Sequence, residues 1–198
     1  MISCVILSAG FSERFGSPKA LANINGKTNI AFLLEKLIKC NLSEIVVVLG
    51  FEHEKITQHV FKHNLLNLVY NKDYKFGQTT SVIAGLKKTS TKSDEFLILP
   101  IDCPFVRPQT VDQLIVNFKR NTSDILIPMY QNRRGHPPVF NQKVKDAILK
   151  LDIAKGINTV LKDETYTTNV LDTDDPGVTE TFNTPEELNE ILKLHNSV

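Results

Sequence analysis

The chain has 198 residues, 41% of them hydrophobic and 23% charged, which is enough for one sizeable core and ordinary for a globular protein. Its 23 basic residues stand against 22 acidic ones, and a formal charge of +1 excludes the basic excess of a large nucleic-acid footprint. The three cysteines (Cys4, Cys40, Cys103) are far apart and form no C-x-x-C, which argues against a zinc site or a disulfide framework and fits reduced thiols.

Strand-like and helix-like segments alternate from the start. Residues 2–8 read as a buried strand, and residues 29–40 as a helix with Ile30, Leu34, Leu37 and Ile38 on one face. "EIVVVLG" (44–50) is a second strand, rich in β-branched residues and ended by Gly50. Residues 53–63 read as helix, "LNLVYN" (66–71) as a third strand, and a helix runs from near Gln78 to Lys88. "EFLILPID" (95–102) is a fourth strand that ends in a proline and a carboxylate. Val111, Leu114, Ile115 and Phe118 then fall at i, i+3, i+4 and i+7, with Pro108 near that helix's start. "DILIPMY" (124–130) and "GHPPVF" (135–140) are extended, and Val144, Ala147, Ile148 and Leu151 repeat the helical spacing. The last helix opens at "TPEEL", with Thr184 as N-cap, Pro185 at the first helical position and Glu187 closing a capping box.

Four strand-then-helix units predict an α/β fold with a mostly parallel central sheet and helices on both faces, in a single domain over 1–198. Ligands bind such sheets at the carboxyl ends of the strands. That rule puts the 9–19 loop, Asp102 and Gly50 along one rim. No apolar run approaches the ~20 residues that span a bilayer. Residues 1–8 are apolar but too short, and lack the basic start, for a signal peptide. A cytoplasmic protein is expected, with neither membrane nor nucleic acid as partner.

The loop after the first strand, "GFSERFGSPK" (10–19), is neither of the two familiar phosphate loops. It lacks the glycine spacing of G-x-G-x-x-G, and Ser17-Pro18 separate Gly16 from Lys19 where a P-loop needs Gly-Lys. It nevertheless holds what a triphosphate requires: Gly10 and Gly16 for backbone approach and positive φ, Ser12 as a hydroxyl donor, and Arg14 and Lys19 as cations. Asp102, delivered to the rim by a buried strand, fits Mg²⁺, which takes one or two carboxylates plus phosphate oxygens. Arg133, Arg134 and His136 in "NRRGHPPVF" suit a second anionic substrate, or an exposed hairpin tip. Thr79, Thr80 and Ser81 open a helix, to meet a ribose or base or, for at least one of them, to cap it. Asp172, Asp174 and Asp175 read as a solvated turn before Pro176-Gly177.

These stretches resemble the MobA-like NTP transferase family. "LSAGFSERFGSPKAL" is similar to its L-A-A-G-x-S-x-R-x-G-x-x-K signature, and "GQTTSVIAGL", "LPIDCPFVRPQTVDQLI", "NRRGHPPVF" and "FNTPEEL" follow in the family's order. The serine-bearing loop and the R-G-H-P turn resemble the molybdenum cofactor cytidylyltransferase branch; the guanylyltransferase branch usually carries L-A-G-G and a G-x-D-K ending. The resemblance implies a Rossmann-like fold and transfer of a nucleotidyl group, CMP from CTP, to molybdopterin or the molybdenum cofactor, with release of pyrophosphate. By the same resemblance Arg14, Lys19 and Asp102 are catalytic. Ser8, Ala9, Gly10, Ser12, Arg14, Lys19, Gln78, Thr79 and Ser81 hold the nucleotide, and Arg134, Gly135 and His136 face the acceptor. Asp102 holds Mg²⁺ with Asn183, and a molybdoenzyme that receives the cofactor is the implied protein partner. Asn183 stands where the family often has the second aspartate of D-x-D-T-P, and Ser8 stands where it usually has alanine. Two other readings stay open: a sugar- or polyol-phosphate nucleotidyltransferase, and a nucleotide-binding module without catalysis.

Overall fold

A computed structural model describes residues 1–196. Ten strands and seven α-helices follow in chain order among them: β1 (Ile2–Ser8), β2 (Asn23–Ile24), β3 (Lys27–Thr28), α1 (Asn29–Leu37), β4 (Glu44–Leu49), α2 (His53–Thr57), β5 (Leu66–Tyr70), α3 (Gln78–Lys88), β6 (Glu95–Pro100), α4 (Pro108–Arg120), β7 (Ile125–Tyr130), β8 (Arg133–Arg134), β9 (Val139–Asn141), α5 (Gln142–Leu149), α6 (Asn158–Leu161), β10 (Thr168–Asp172) and α7 (Pro185–Asn196). The main sheet runs β5-β4-β1-β6-β9-β7-β10, with β8 paired to β7. Every pairing in it is parallel except those of β9 with β6 and β7 and of β8 with β7. The mostly parallel α/β sheet expected from the sequence is therefore present.

β1 and β4 are apolar at nearly every position because helices cover both of their faces. On one face Cys4, Ile6, Ile45 and Val47 pack with Leu33 and Leu34 of α1 and Leu114 and Ile115 of α4. On the other, Val5, Leu7, Val46 and Val48 meet Val82 and Leu86 of α3 and Val144 and Ile148 of α5. A smaller third cluster lies under α7, where Phe182, fully buried, packs with Ile24, Phe105, Leu188 and Ile191. Burying a side chain of this size is worth roughly 1.5–3 kcal/mol, so this cluster pins the chain just before Asn183. Thr184 Oγ1 accepts from Glu187 N as expected, but the Glu187 carboxylate reaches back to Asn183 N, one residue earlier than in a standard capping box.

Several elements differ from the expectation. Only His53–Thr57 of the 53–63 segment is helical; beyond it Val60 and Phe61 turn down against the core. The β2–β3 hairpin was legible but missed: Asn25 and Gly26 take φ of 50° and 84°, the tight-turn geometry that Asn-Gly favours. β10 was missed because this edge strand is polar and half exposed. Asp175 is no solvated turn residue. At 1% exposure it accepts from Arg107 N and Thr110 Oγ1, both at 2.7 Å, and from Gly177 N, so it ties the start of α4 to the return of the chain. No helix among the described residues is long and apolar enough to cross a membrane.

Candidate active site

The carboxyl ends of β1 and β6 open into a cleft of about 460 Å³, bounded by the 8–20 loop, the start of α3, residues 100–102 and Asn183. Within the loop, Ser12 adopts φ 57°, and its carbonyl accepts from Phe15 N and Gly16 N. Gly16 follows at φ 78°, where an L side chain would be strained. Gly10 has an ordinary negative-side backbone, contrary to expectation; a Cβ there would meet no protein atom within 4 Å. The Ser12 hydroxyl accepts from Lys19 N at 3.2 Å, so it closes the loop on itself. Phe11 leaves the loop to pack against Phe51 and Tyr74, with ring centroids 5.4 and 5.2 Å away.

Four polar side chains from distant segments converge at the cleft. Lys19 Nζ donates to Asp102 Oδ2 at 2.8 Å and to Asn183 Oδ1 at 3.0 Å. Arg14 Nη2 donates to the same Asn183 oxygen at 3.0 Å. β6 delivers Asp102. The chain entering α7 delivers Asn183, held by buried Phe182, whose N–H donates to the Asp102 carbonyl. Asn29, fully buried at the start of α1, donates from Nδ2 to the carbonyls of Lys19 and Ile101, fastening the loop to the end of β6. No spacing signal pointed to Asn29. Cys103 lies beside Asp102, its Sγ donating to Oδ1 at 3.7 Å; burial, and then the Asp102 charge, push its thiol well above the usual range.

The two expected flanks divide. Gln78 and Ser81 line the cleft, and buried Asn71 donates to Ser81 Oγ at 3.0 Å. Thr79 does not line it: its hydroxyl turns away to the Lys155 carbonyl at 3.0 Å. None of the three hydroxyls caps α3, whose N-cap residue is Gly77; Thr80 Oγ1 instead donates to the Asp73 and Gly77 carbonyls.

Arg134, Gly135 and His136 stand outside the cleft lining. Arg134 is exposed on β8. Gly135 serves packing, because a Cβ there would lie 2.1 Å from the Val178 carbonyl oxygen. His136 N donates to that same carbonyl, and burial lowers the imidazole's pKa against the opposing pull of Asp102. Among the described residues no three His, Cys, Asp or Glu side chains gather to hold a metal. A divalent ion here would depend on Asp102, the Asn183 amide oxygen and ligands from a substrate.

The family model for the MobA-like NTP transferase domain matches residues 4–169. The chain belongs to that family. It is thus a MobA-like nucleotidyltransferase, and its central sheet is the family's Rossmann-like scaffold. A Bacillus cereus protein named "Probable molybdenum cofactor guanylyltransferase" is 30% identical over 153 residues, 74% of this chain and 72% of the relative. A Pyrococcus horikoshii protein of the same name is 27% identical over 127 residues, 64% of this chain and 62% of that relative. Rv0371c from Mycobacterium tuberculosis has a similar fold, with a TM-score of 0.85 at 20% identity over 97% of each chain. A manganese complex of Rv0371c has also been solved, with a TM-score of 0.80 at 19% identity, covering 97% of this chain and 98% of that one. The family expected from the loop is right. The narrower likeness to the cytidylyltransferase branch is not matched by these relatives, which are named for guanylyl transfer.

Proposed function

We propose that this MobA-like transferase moves a nucleotidyl group from a nucleoside triphosphate to the phosphate of molybdopterin and releases pyrophosphate. A phosphate oxygen of the acceptor forms a bond to the α-phosphorus as the bond from that phosphorus to the β-phosphate oxygen breaks, and pyrophosphate carries away the electron pair. A phosphate monoester has its second pKa near ~6, so the attacking group is already mostly dianionic at neutral pH. No general base is required. The work left to the protein is positioning and charge stabilisation.

The observation that carries this reading is the convergence of Arg14, Lys19, Asp102 and Asn183 on one cleft. In this assignment Arg14 and the loop amides hold the departing pyrophosphate, and Lys19, steered by Asp102 and Asn183, meets the α-phosphoryl charge. Ser8, Ala9, Gly10, Ser12, Gln78 and Ser81, all on the cleft wall, surround the rest of the nucleotide. One carboxylate, one amide oxygen and phosphate oxygens form a donor set that suits Mg²⁺, with Asp102 and Asn183 as its protein ligands. The ion would supply charge neutralisation on the phosphates. Arg134, exposed on β8 outside the cleft lining, is the residue assigned to the acceptor.

CTP is the proposed donor. Ala9 puts a methyl group on the cleft wall where the guanylyltransferase pattern carries glycine. A second reading, with GTP as donor, is favoured by the names of the Bacillus and Pyrococcus relatives. A molybdoenzyme is the proposed recipient of the product. The test is Mg²⁺-dependent pyrophosphate release with molybdopterin and each triphosphate, beside a sugar 1-phosphate as alternative acceptor. Turnover with molybdopterin and CTP is expected; turnover with GTP alone selects the second reading. Release with the sugar phosphate alone, or nucleotide binding without turnover, overturns both.

A further inference from the structure

Single apolar side chains scattered over a surface need no explanation, but several around one depression do. A second pocket, of about 470 Å³, is lined by Phe76, Ile83, Ala84 and Ile153, with Lys72 and Lys87 also on its wall. Phe76 is 67% exposed and Ile153 49%, so neither is spent on the core. Both lysines are exposed, and neither has a hydrogen-bond or ion-pair partner among the described residues. Two ammonium groups stand against one carboxylate, Asp73, so the wall carries a net positive charge. Helical phase separates this pocket from the cleft: α3 turns Gln78 and Ser81 to the cleft, and Thr80, Ala84 and Lys87 to the pocket. The two openings share a partition. Asn71, 5% exposed on the pocket side, donates from Nδ2 to Thr80 Oγ1 at 2.9 Å and to Ser81 Oγ at 3.0 Å, and Ser81 faces the cleft.

We infer that this pocket is a second ligand site, for a small organic anion with a flat apolar body. Its volume falls within the ~300–1,000 Å³ of small-molecule sites, which pair an apolar lining with a few polar groups. Phe76, Ile83, Ala84 and Ile153 take the apolar body out of water. Lys72 and Lys87 meet the anion, and a net charge of one on the wall suits a single negative charge. A second copy of this chain is the poorer occupant, because a two-fold contact centred here would set the lysines of one copy against those of the other. The site does not rest on the chemistry proposed for the cleft. Its occupant would touch the partition that Asn71 fastens to Ser81.

Fluorescence titration of the full chain with anilinonaphthalene sulfonate, beside its neutral analogue phenylnaphthylamine, tests this. The sulfonate should saturate a single site and bind roughly 10-fold more tightly than the neutral analogue, the scale of two partly exposed charge pairs. The double variant Lys72→Gln, Lys87→Gln should lose that ~10-fold for the sulfonate and change less than twofold for the neutral analogue. Ala84→Trp, at a half-buried position of α3, should fill the pocket and abolish binding of both probes, with a circular dichroism spectrum like the wild type's. If that variant fails to fold, the exposed lysine pair decides alone. No binding by the wild type, equal losses for both probes in the lysine variant, or undiminished binding in a folded Ala84→Trp overturns the proposal. Sedimentation of the same proteins tests the other occupant: a wild-type dimer that Ala84→Trp converts to a monomer gives the pocket to a second copy and overturns it too.

Discussion

Asn183 Oδ1 accepts a hydrogen bond from Lys19 Nζ at 3.0 Å, although 164 positions separate the two residues. The same oxygen accepts from Arg14, so one neutral amide holds both loop cations in register. An aspartate there would do so with a full charge and would be the stronger ligand for a divalent ion.

Asn183→Ala should release Arg14 from this contact, leave Lys19 held by Asp102 alone, and lower kcat/KM by roughly 10–100-fold, the range for a lost hydrogen bond to a charged group. Asn183→Asp should keep activity and reach half-maximal rate at lower Mg²⁺. Steady-state pyrophosphate release across a Mg²⁺ titration checks both. An alanine variant with wild-type kinetics would remove Asn183 from the machinery.

Lys19→Ala and Asp102→Ala should each reduce turnover by ~10²–10³-fold, as expected for a group stabilising transition-state charge. Their circular dichroism spectra should match the wild type, because both side chains sit on the cleft rather than in the core. Near-normal turnover in either variant would remove that residue from the mechanism.

Gly135→Ala should destabilise the fold rather than the chemistry. The new methyl group would need the space 2.1 Å from the Val178 carbonyl oxygen, and backbone there cannot rotate away. A loss of roughly 2–3 kcal/mol is expected, which for a chain of this size is a fall of about 4–12 °C in Tm. Thermal denaturation of the variant measures it, and an unchanged Tm would mean the β8–β9 turn yields freely.

Burial lowers the Lys36 ammonium to about 8, despite the opposing pull of Asp175, Cys40 and Glu180. Its Nζ donates to the Pro104 carbonyl at 2.8 Å. Below pH 8 the lysine is charged in both the folded and unfolded states, and the burial penalty is paid in full. Between about pH 8 and pH 10.5 the folded state releases the proton first, so the unfolded state binds more protons and stability rises with pH. Relative to Lys36→Met, the wild type should gain roughly 2–3 kcal/mol across that window. The comparison matters because burial raises the Cys40 thiol to about 12, and its effect on stability runs the other way above pH 9. Urea denaturation of both proteins at pH 7.5 and 10.5 gives the difference, and a constant gap would show that Lys36 is not desolvated.

By itself the sequence determined what depends on near neighbours. The largely apolar runs at 2–8 and 44–49, short and rich in β-branched residues, read as strands buried on both faces, and Thr184 followed by Pro185 reads as the start of a helix. Gly16, Arg14 and Lys19 lie close enough in the chain for an anion loop to be expected before any fold is known. The Asn-Gly hairpin at 25–26 was equally local and could have been read. Only the tertiary structure decided what depends on where the chain returns. Asp175 looked like one of three solvated acids until the start of α4 enclosed it. Thr79 looked like Ser81 until helical phase turned one hydroxyl to Lys155 and the other to the cleft. Asn183 joined Arg14 and Lys19 only because Phe182, buried under α7, fixed the residue beside it at the rim. Local patterning selects backbone conformation, but a polar side chain's role is set by which partners packing brings within hydrogen-bond reach.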